Sequence, residues 1–303
     1  MKINRIAKRG LFEYQKDRNE EGLMLYDFLE ERVIRFADYK EWRINAISPD
    51  GKYIAINKIS ETTRAFKTDF AILRVDTQEQ VFFTNTYFIY DAEFSLDSDK
   101  VLIVAHNKKP FCLDLATKEI IAEMPKNIRT YQGSFNKEKN QFIAPSETFK
   151  DTLYLFDFVS GETEKIKTSL KEKIGKVEYT NDSQHLIALT ESSIVYCLDL
   201  SYKVIWSVDF NTLLESPVRI NSSSMLLSED NQYLMLEASS TETNNWGAEF
   251  VLNVKTGVLV NTIEGYQYRG RIQDALFGNE VLLYTYHTLD MLTGEVKELE
   301  LKR

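Results

Sequence analysis

An apolar strand that runs into a turn through a late aspartate or asparagine returns seven times along this chain. It appears as Leu23–Phe28, Ala71–Asp76, Phe111–Leu115, Leu153–Phe158, Val195–Leu200, Phe250–Val254 and Thr288–Met291. From Asp27 to Asp290, six intervals share 263 residues, a mean of about 44. Several copies end in turn signals such as Ser160-Gly161-Glu162, Thr256-Gly257 and Thr293-Gly294-Glu295, as a tight hairpin requires. A recurrence of this mean length lies in the range of about 40–45 residues of a four-stranded propeller blade. Each repeat is one supersecondary unit that buries its faces only against its neighbours.

A second turn precedes five of the copies. The clearest is Ile47-Ser48-Pro49-Asp50-Gly51-Lys52-Tyr53, where Pro49 presets φ, Asp50 caps the backbone and Gly51 takes the positive φ. Weaker copies are Ser95–Lys100, Asn136–Asn140, Asn181–Gln184 and Ser228–Gln232, each followed by an apolar strand such as Val101–Val104. Strands apolar on both sides suit sheets sandwiched between two other sheets. The segment around Asp50-Gly51 resembles the bacterial WD40-like propeller repeat, although the Gly-His and Trp-Asp signatures of eukaryotic WD40 repeats are missing. The period and the resemblance together imply an all-β chain: a β-propeller of four-stranded antiparallel blades. Seven blades are expected in a single domain over 1–303, near 1–40, 41–86, 87–127, 128–169, 170–213, 214–267 and 268–303. Met1 to Lys8 makes a poor inner strand, so a six-bladed ring is the alternative.

Composition narrows the function. The formal net charge of −9 opposes binding to a phosphate backbone and is compatible with a basic protein partner. The N-terminus lacks an apolar signal region and no run of about 18 apolar residues occurs, so a cytoplasmic, non-membrane protein is expected. Two cysteines form no disulfide framework. Cys112 and Cys197 occupy equivalent third-strand positions, which marks them as small core residues.

The separation between the opening turn and the third-strand acid measures the loop joining the second and third strands. It is 17 residues from Asp97 to Asp114 and from Asp182 to Asp199, but 26 from Asp50 to Asp76 and 23 from Asp230 to Asn253. The extra residues are Ser60–Thr68 and Ser239–Gly247, with a shorter relative at Pro145–Asp151. Connections alternate between the two sides of an antiparallel blade, so these three segments are expected on one side. They carry Arg64, Phe66, Phe149 and Trp246, residue types that anchor protein interfaces. Blade links on the same side add Tyr39, Trp42, Tyr87, Tyr90, Tyr131, Tyr266, Tyr268, Arg269 and Arg271. The competing expectation is that these aromatics fold back over strand ends.

Phosphate-loop, dinucleotide, zinc-protease and serine-hydrolase motifs are absent. His106, His185 and His287 are isolated, and the inner-strand acids Asp91, Glu93, Glu178 and Asp274 are too few for a calcium shell. The third-strand acids are expected to cap the turns that follow them. The expectation is therefore a non-catalytic protein-binding propeller, without cofactor or metal and monomeric when free. Its partner-binding set is Arg64, Phe66, Phe149, Trp246, Tyr268 and Arg269. Lone propellers of this resemblance include scaffolds and immunity proteins that neutralise a toxin. The alternative is a propeller hydrolase or lyase with a metal in the central channel.

Overall fold

Two sets of left-handed backbone residues pace the chain. In the first set, Lys8, Gly51, Ser98, Asn140, Ser183, Asn231 and Gly278 all have φ between 50° and 70°. In the second, Glu31, Gln78, Lys118, Gly161, Tyr202, Gly257 and Gly294 have φ between 50° and 72°. Each member of the first set closes the turn between the first and second strands of a sheet; each member of the second closes the turn between the third and fourth. The computed structural model describes the chain apart from residues 1, 18–19, 37, 40–41, 60–67, 87, 107, 130–131, 214–217, 222–224, 241–246, 265–271, 284–286 and 300–303.

Seven antiparallel sheets follow in chain order. Blade one pairs β1 (Lys2–Asn4), β2 (Arg9–Asp17), β3 (Glu20–Asp27) and β4 (Arg32–Phe36). Blade two holds β5 (Trp42–Ile47), β6 (Tyr53–Ile59), β7 (Thr68–Arg74) and β8 (Gln80–Thr84). Blade three holds β9 (Ile89–Phe94), β10 (Lys100–Ala105), β11 (Phe111–Asp114) and β12 (Ile120–Glu123). Blade four holds β13 (Ser134–Asn136), β14 (Gln141–Pro145), β15 (Thr152–Asp157) and β16 (Thr163–Lys167). Blade five holds β17 (Ile174–Tyr179), β18 (Leu186–Thr190), β19 (Ile194–Leu198) and β20 (Val204–Asp209), followed by a single helical turn, α1 (Phe210–Leu213). In blade six the first strand is split into β21 (Val218–Ile220) and β22 (Leu226–Leu227), both pairing β23 (Tyr233–Ser240), with β24 (Gly247–Asn253) and β25 (Leu259–Glu264) beyond. Blade seven holds β26 (Ile272–Ala275), β27 (Glu280–Leu283), β28 (His287–Asp290) and β29 (Val296–Glu298). The chain is an all-β, seven-bladed propeller. The six-bladed alternative fails because β1 pairs with β2 in register Lys2↔Leu11 and completes blade one.

The chain divides into two compact units, Met1–Lys126 with Asp157–Glu162 and Glu300–Arg303, and Asn127–Phe156 with Thr163–Leu299. In the first unit, one core cluster joins blades one and two through Leu11, Leu25, Phe36, Ile54 and Leu73, and another joins blades two and three through Phe70, Ile72, Phe94, Ile103 and Leu113. In the second unit, Ile143, Leu153, Val177 and Leu186 join blades four and five. Val195, Phe210, Leu234 and Phe250 join blades five and six, and Met235, Val251, Val281 and Leu289 join six and seven. The doubly apolar second strands are the reason: β18 is buried along Leu186–Thr190, with Leu186 and Ala188 in the cluster shared with blade four and Ile187 and Leu189 in the cluster shared with blade six.

The turn chemistry is as the residue types dictate. Asp114 Oδ1 accepts the Ala116 and Thr117 N–H groups and the Thr117 hydroxyl. Asp157 does the same for Val159 and Ser160, Asn253 for Lys255 and Thr256, and Asp290 for Leu292 and Thr293. Blade two departs from the expected pattern. Arg74 N–H donates to Glu79 O as Asp114 N–H donates to Glu119 O, so Arg74 occupies the acid's position and Asp76 lies two residues later in the turn. The blade-two insertion is accordingly two residues shorter than the Asp76 count implied. Arg74 lies 5.7 Å over the Tyr53 ring instead of capping its turn.

Opening turns of consecutive blades are stitched together within each unit. Asn4 Nδ2 donates to the Ile47 and Ser48 carbonyls, and Asp50 N–H to Ser98 Oγ. In the second unit, Lys137 N–H donates to Ser183 Oγ, Asn181 N–H to Asn231 Oδ1, and Glu229 N–H to Gly278 O. These bonds fix neighbouring sheets in register at the end opposite to the loops joining second and third strands.

Candidate protein-binding surface

The longer connections between second and third strands are built as extended hairpins. Pairing continues to Ile59↔Thr68 in blade two and to Ser239↔Gly247 in blade six, so Thr68, Ser239 and Gly247 belong to strands rather than to loops. Blade one carries a similar arm, paired to Asp17↔Glu20, that the spacing from an Asp-containing opening turn could not detect because Lys8 closes that turn without one. The polar run Gln15 to Glu21 between two apolar strands was its sequence signal.

Of the six residues expected to bind a partner, Arg64, Phe66, Trp246, Tyr268 and Arg269 lie outside the described residues, as do Tyr87, Tyr131, Tyr266 and Arg271. Phe149 is described. Its loop starts at an antiparallel bridge, Ile128↔Ser146, where Ser146 N–H donates to Thr152 O and Glu147 N–H to Asn127 O, and Ser146 Oγ then accepts the Thr148 and Phe149 N–H groups at 3.2 and 3.0 Å. Phe149 remains 45% exposed, with the Lys165 ammonium 4.1 Å from its ring centroid. Burial of the Ser146 side chain fixes the loop while leaving the aromatic ring to solvent.

The blade links in the first unit divide between the two outcomes foreseen for them. Tyr39 and Trp42 pack edge to face with centroids 5.5 Å apart and lie against the core between blades one and two, folded back over strand ends. Burial, with Asp38 nearby, raises the Tyr39 pKa. Tyr90 stays half exposed, packed edge to face on Phe88 and His106, with its hydroxyl hydrogen-bonded to His106 Nδ1.

The acids on first strands fall in separate units. In the first, Asp91 accepts the Ala92 N–H; burial raises its pKa, against the nearby Lys2 charge. In the second, burial raises the Glu178 pKa, opposed by Lys176, Lys137 and a 3.3 Å hydrogen bond from Ser134 Oγ, with Asp274 adding repulsion. Among the described residues, no group of three or more His, Cys, Asp or Glu side chains is arranged to hold a metal ion. Cys112 and Cys197 are buried, and burial pushes both thiols up to about 12, which leaves them protonated and unreactive at neutral pH.

The chain is a seven-bladed β-propeller in which Phe149 stands half exposed on the connection between the second and third strands of blade four. Neither a protein-family model nor a curated protein matches the chain. Among solved structures it is similar to the β-propeller domain of Cps50 (Swd1) from Myceliophteria thermophila, at 12% identity and a TM-score of 0.65. The match covers 97% of this chain and 93% of that one, and it shows a shared fold. Among the described residues, no helix is long and apolar enough to cross a membrane.

Proposed function

We propose that this chain is a non-catalytic protein-binding propeller that captures a partner through the second-to-third-strand connections of blades two, four and six. Arg64, Phe66, Phe149, Trp246, Tyr268 and Arg269 supply the anchors. The observation that supports this reading is Phe149: an aromatic ring held half exposed by a pinned backbone has little freedom to lose on binding. The finer proposal is a bacterial WD40-like protein of the cytoplasm, a monomer when free and acting as one domain. In that proposal it serves as an immunity protein whose acidic surface steers a basic toxin toward it.

The test is affinity capture from the native host with wild type and with Arg64→Ala/Phe66→Ala/Trp246→Ala. One abundant partner, lost in the variant while circular dichroism is unchanged, is the expected result. A partner retained by the variant moves the surface elsewhere. Absence of a partner, combined with a metal-dependent thermal shift, would replace the account with a metal-bearing hydrolase or lyase.

A further inference from the structure

Resting on the protein-binding reading, we propose that blades four and five accept an acidic segment of the partner on a connected basic surface running from Phe149 to Arg129. The whole chain is acidic, with 46 Asp and Glu against 37 Lys and Arg. Residues 165–176 reverse that balance, with five lysines and one glutamate, and of these lysines Lys167 is paired with Asp151 at 3.4 Å. Hydrogen bonds make this stretch continuous with the Phe149 loop. Thr168 N–H donates to Asp151 O at 2.8 Å, and Ile174 N–H donates to Lys150 O at 3.1 Å.

The same link continues to the second-to-third-strand turn of blade five, where Glu191 N–H donates to Lys173 O at 2.9 Å. There the Glu191 carboxylate shows how an incoming acid is held. Its Oε1 lies 2.6 Å from Arg129 Nη1 and 3.3 Å from Lys173 Nζ. One carboxylate serves two cations, so the trio keeps a net positive charge, and Glu191 is itself 45% exposed at its side chain. An acidic residue of the partner would add to or replace Glu191 on Arg129 and Lys173, while a neighbouring apolar side chain covers Phe149. Charge-assisted contacts of this kind give register more than area does. A partner that is basic overall can still present such a segment, because net charge governs long-range steering and this surface governs local fit.

The test is fluorescence anisotropy on the full chain. The probe is a fluorescein-labelled peptide alternating Glu and Gly around one Tyr, with a Lys-for-Glu counterpart and a single-stranded oligonucleotide as competitors. The acidic peptide should bind, and its affinity should fall about tenfold or more in Lys171→Glu/Lys173→Glu and as salt is raised. Lys150→Glu/Lys171→Glu, which changes two exposed side chains and leaves the Glu191 pairs in place, should weaken binding in the same direction. No binding of the acidic peptide, equal binding of the basic one, tighter binding of the oligonucleotide, or indifference to both variants overturns the proposal. A native partner lost on Phe149→Ala yet retained by both charge variants refutes the acidic segment and leaves the protein-binding reading standing. A partner retained by all three refutes both.

Discussion

Gly257 and Gly294 occupy the same left-handed turn position in blades six and seven, with φ of 71° in both, and they isolate the contribution of packing between blades. A methyl group on Gly294 would meet only the Ile263 side chain, no closer than 3.6 Å, an ordinary contact. A methyl on Gly257 would lie 2.7 Å from Cε3 and 2.8 Å from Cδ2 of Trp206 on β20. That ring cannot move aside freely, because its Nε1–H donates to Val254 O at 2.8 Å. Gly294→Ala therefore carries only the left-handed backbone cost, about 1 kcal/mol. Gly257→Ala adds overpacking against a pinned indole and should cost about 3 kcal/mol in all. Adding Trp206→Ala to Gly257→Ala should recover about 1–2 kcal/mol relative to additivity. Urea denaturation followed by circular dichroism compares wild type with Gly294→Ala, Gly257→Ala, Trp206→Ala and the double variant. Equal losses for the two glycine variants would refute the reasoning, since the turn position would then be all that matters.

Glu178 and Asp27 should respond to pH in opposite senses. A half-buried carboxyl with a raised pKa makes the folded state bind more protons than the unfolded one, so stability falls as pH rises through the window above the unfolded value of about 4.5. Glu178→Gln should therefore be more stable than wild type at pH 7, and the gain should vanish at pH 4. For Asp27, burial opposes ionisation, but the Glu30 and Leu29 N–H groups and Arg9 at 3.0 Å together hold its pKa low. Its contribution is present above about pH 4 and is lost as pH falls through the depressed folded value. Asp27→Asn should cost about 1 kcal/mol at pH 7, because Arg9 is partly exposed and keeps its bond to Gly51 O, and progressively less in acid, read from urea midpoints across pH. In the blade-three turn, Asp114→Ala should cost about 1 kcal/mol through its three lost hydrogen bonds, while Asp114→Asn stays within about 0.5 kcal/mol because Asn253 does the same work in blade six.

The seven sheets were legible because their turns carry side-chain chemistry that repeats: an acid or amide near the end of the third strand, followed three residues on by Ser or Thr in blades three, four, six and seven, and a left-handed position often filled by Gly. Blade two misled at this level, since Arg74 replaces the acid and Asp76 imitates it two residues later. The arm of blade one was missed because its opening turn closes on Lys8, which has no aspartate for the spacing to start from. Among the aromatics proposed for the binding surface, residue type alone could not separate Tyr39 and Trp42, which return to the core, from Phe149, which does not. The difference lies in Ser146, whose buried hydroxyl holds the backbone so that the ring faces outward. The basic stretch from Lys165 to Lys176 was visible in the sequence but was submerged in the overall negative charge. Its meaning depends on the contacts that place it beside Phe149 and Arg129.

The central claim is that a partner docks where the second and third strands connect. Site-specific photocrosslinking tests it directly, with a benzophenone side chain placed at Phe149 in one sample and at Ile121, an exposed apolar position on the outer strand β12, in another. The account predicts a single crosslinked partner from position 149 and none from position 121. Crosslinking from position 121 alone would contradict it.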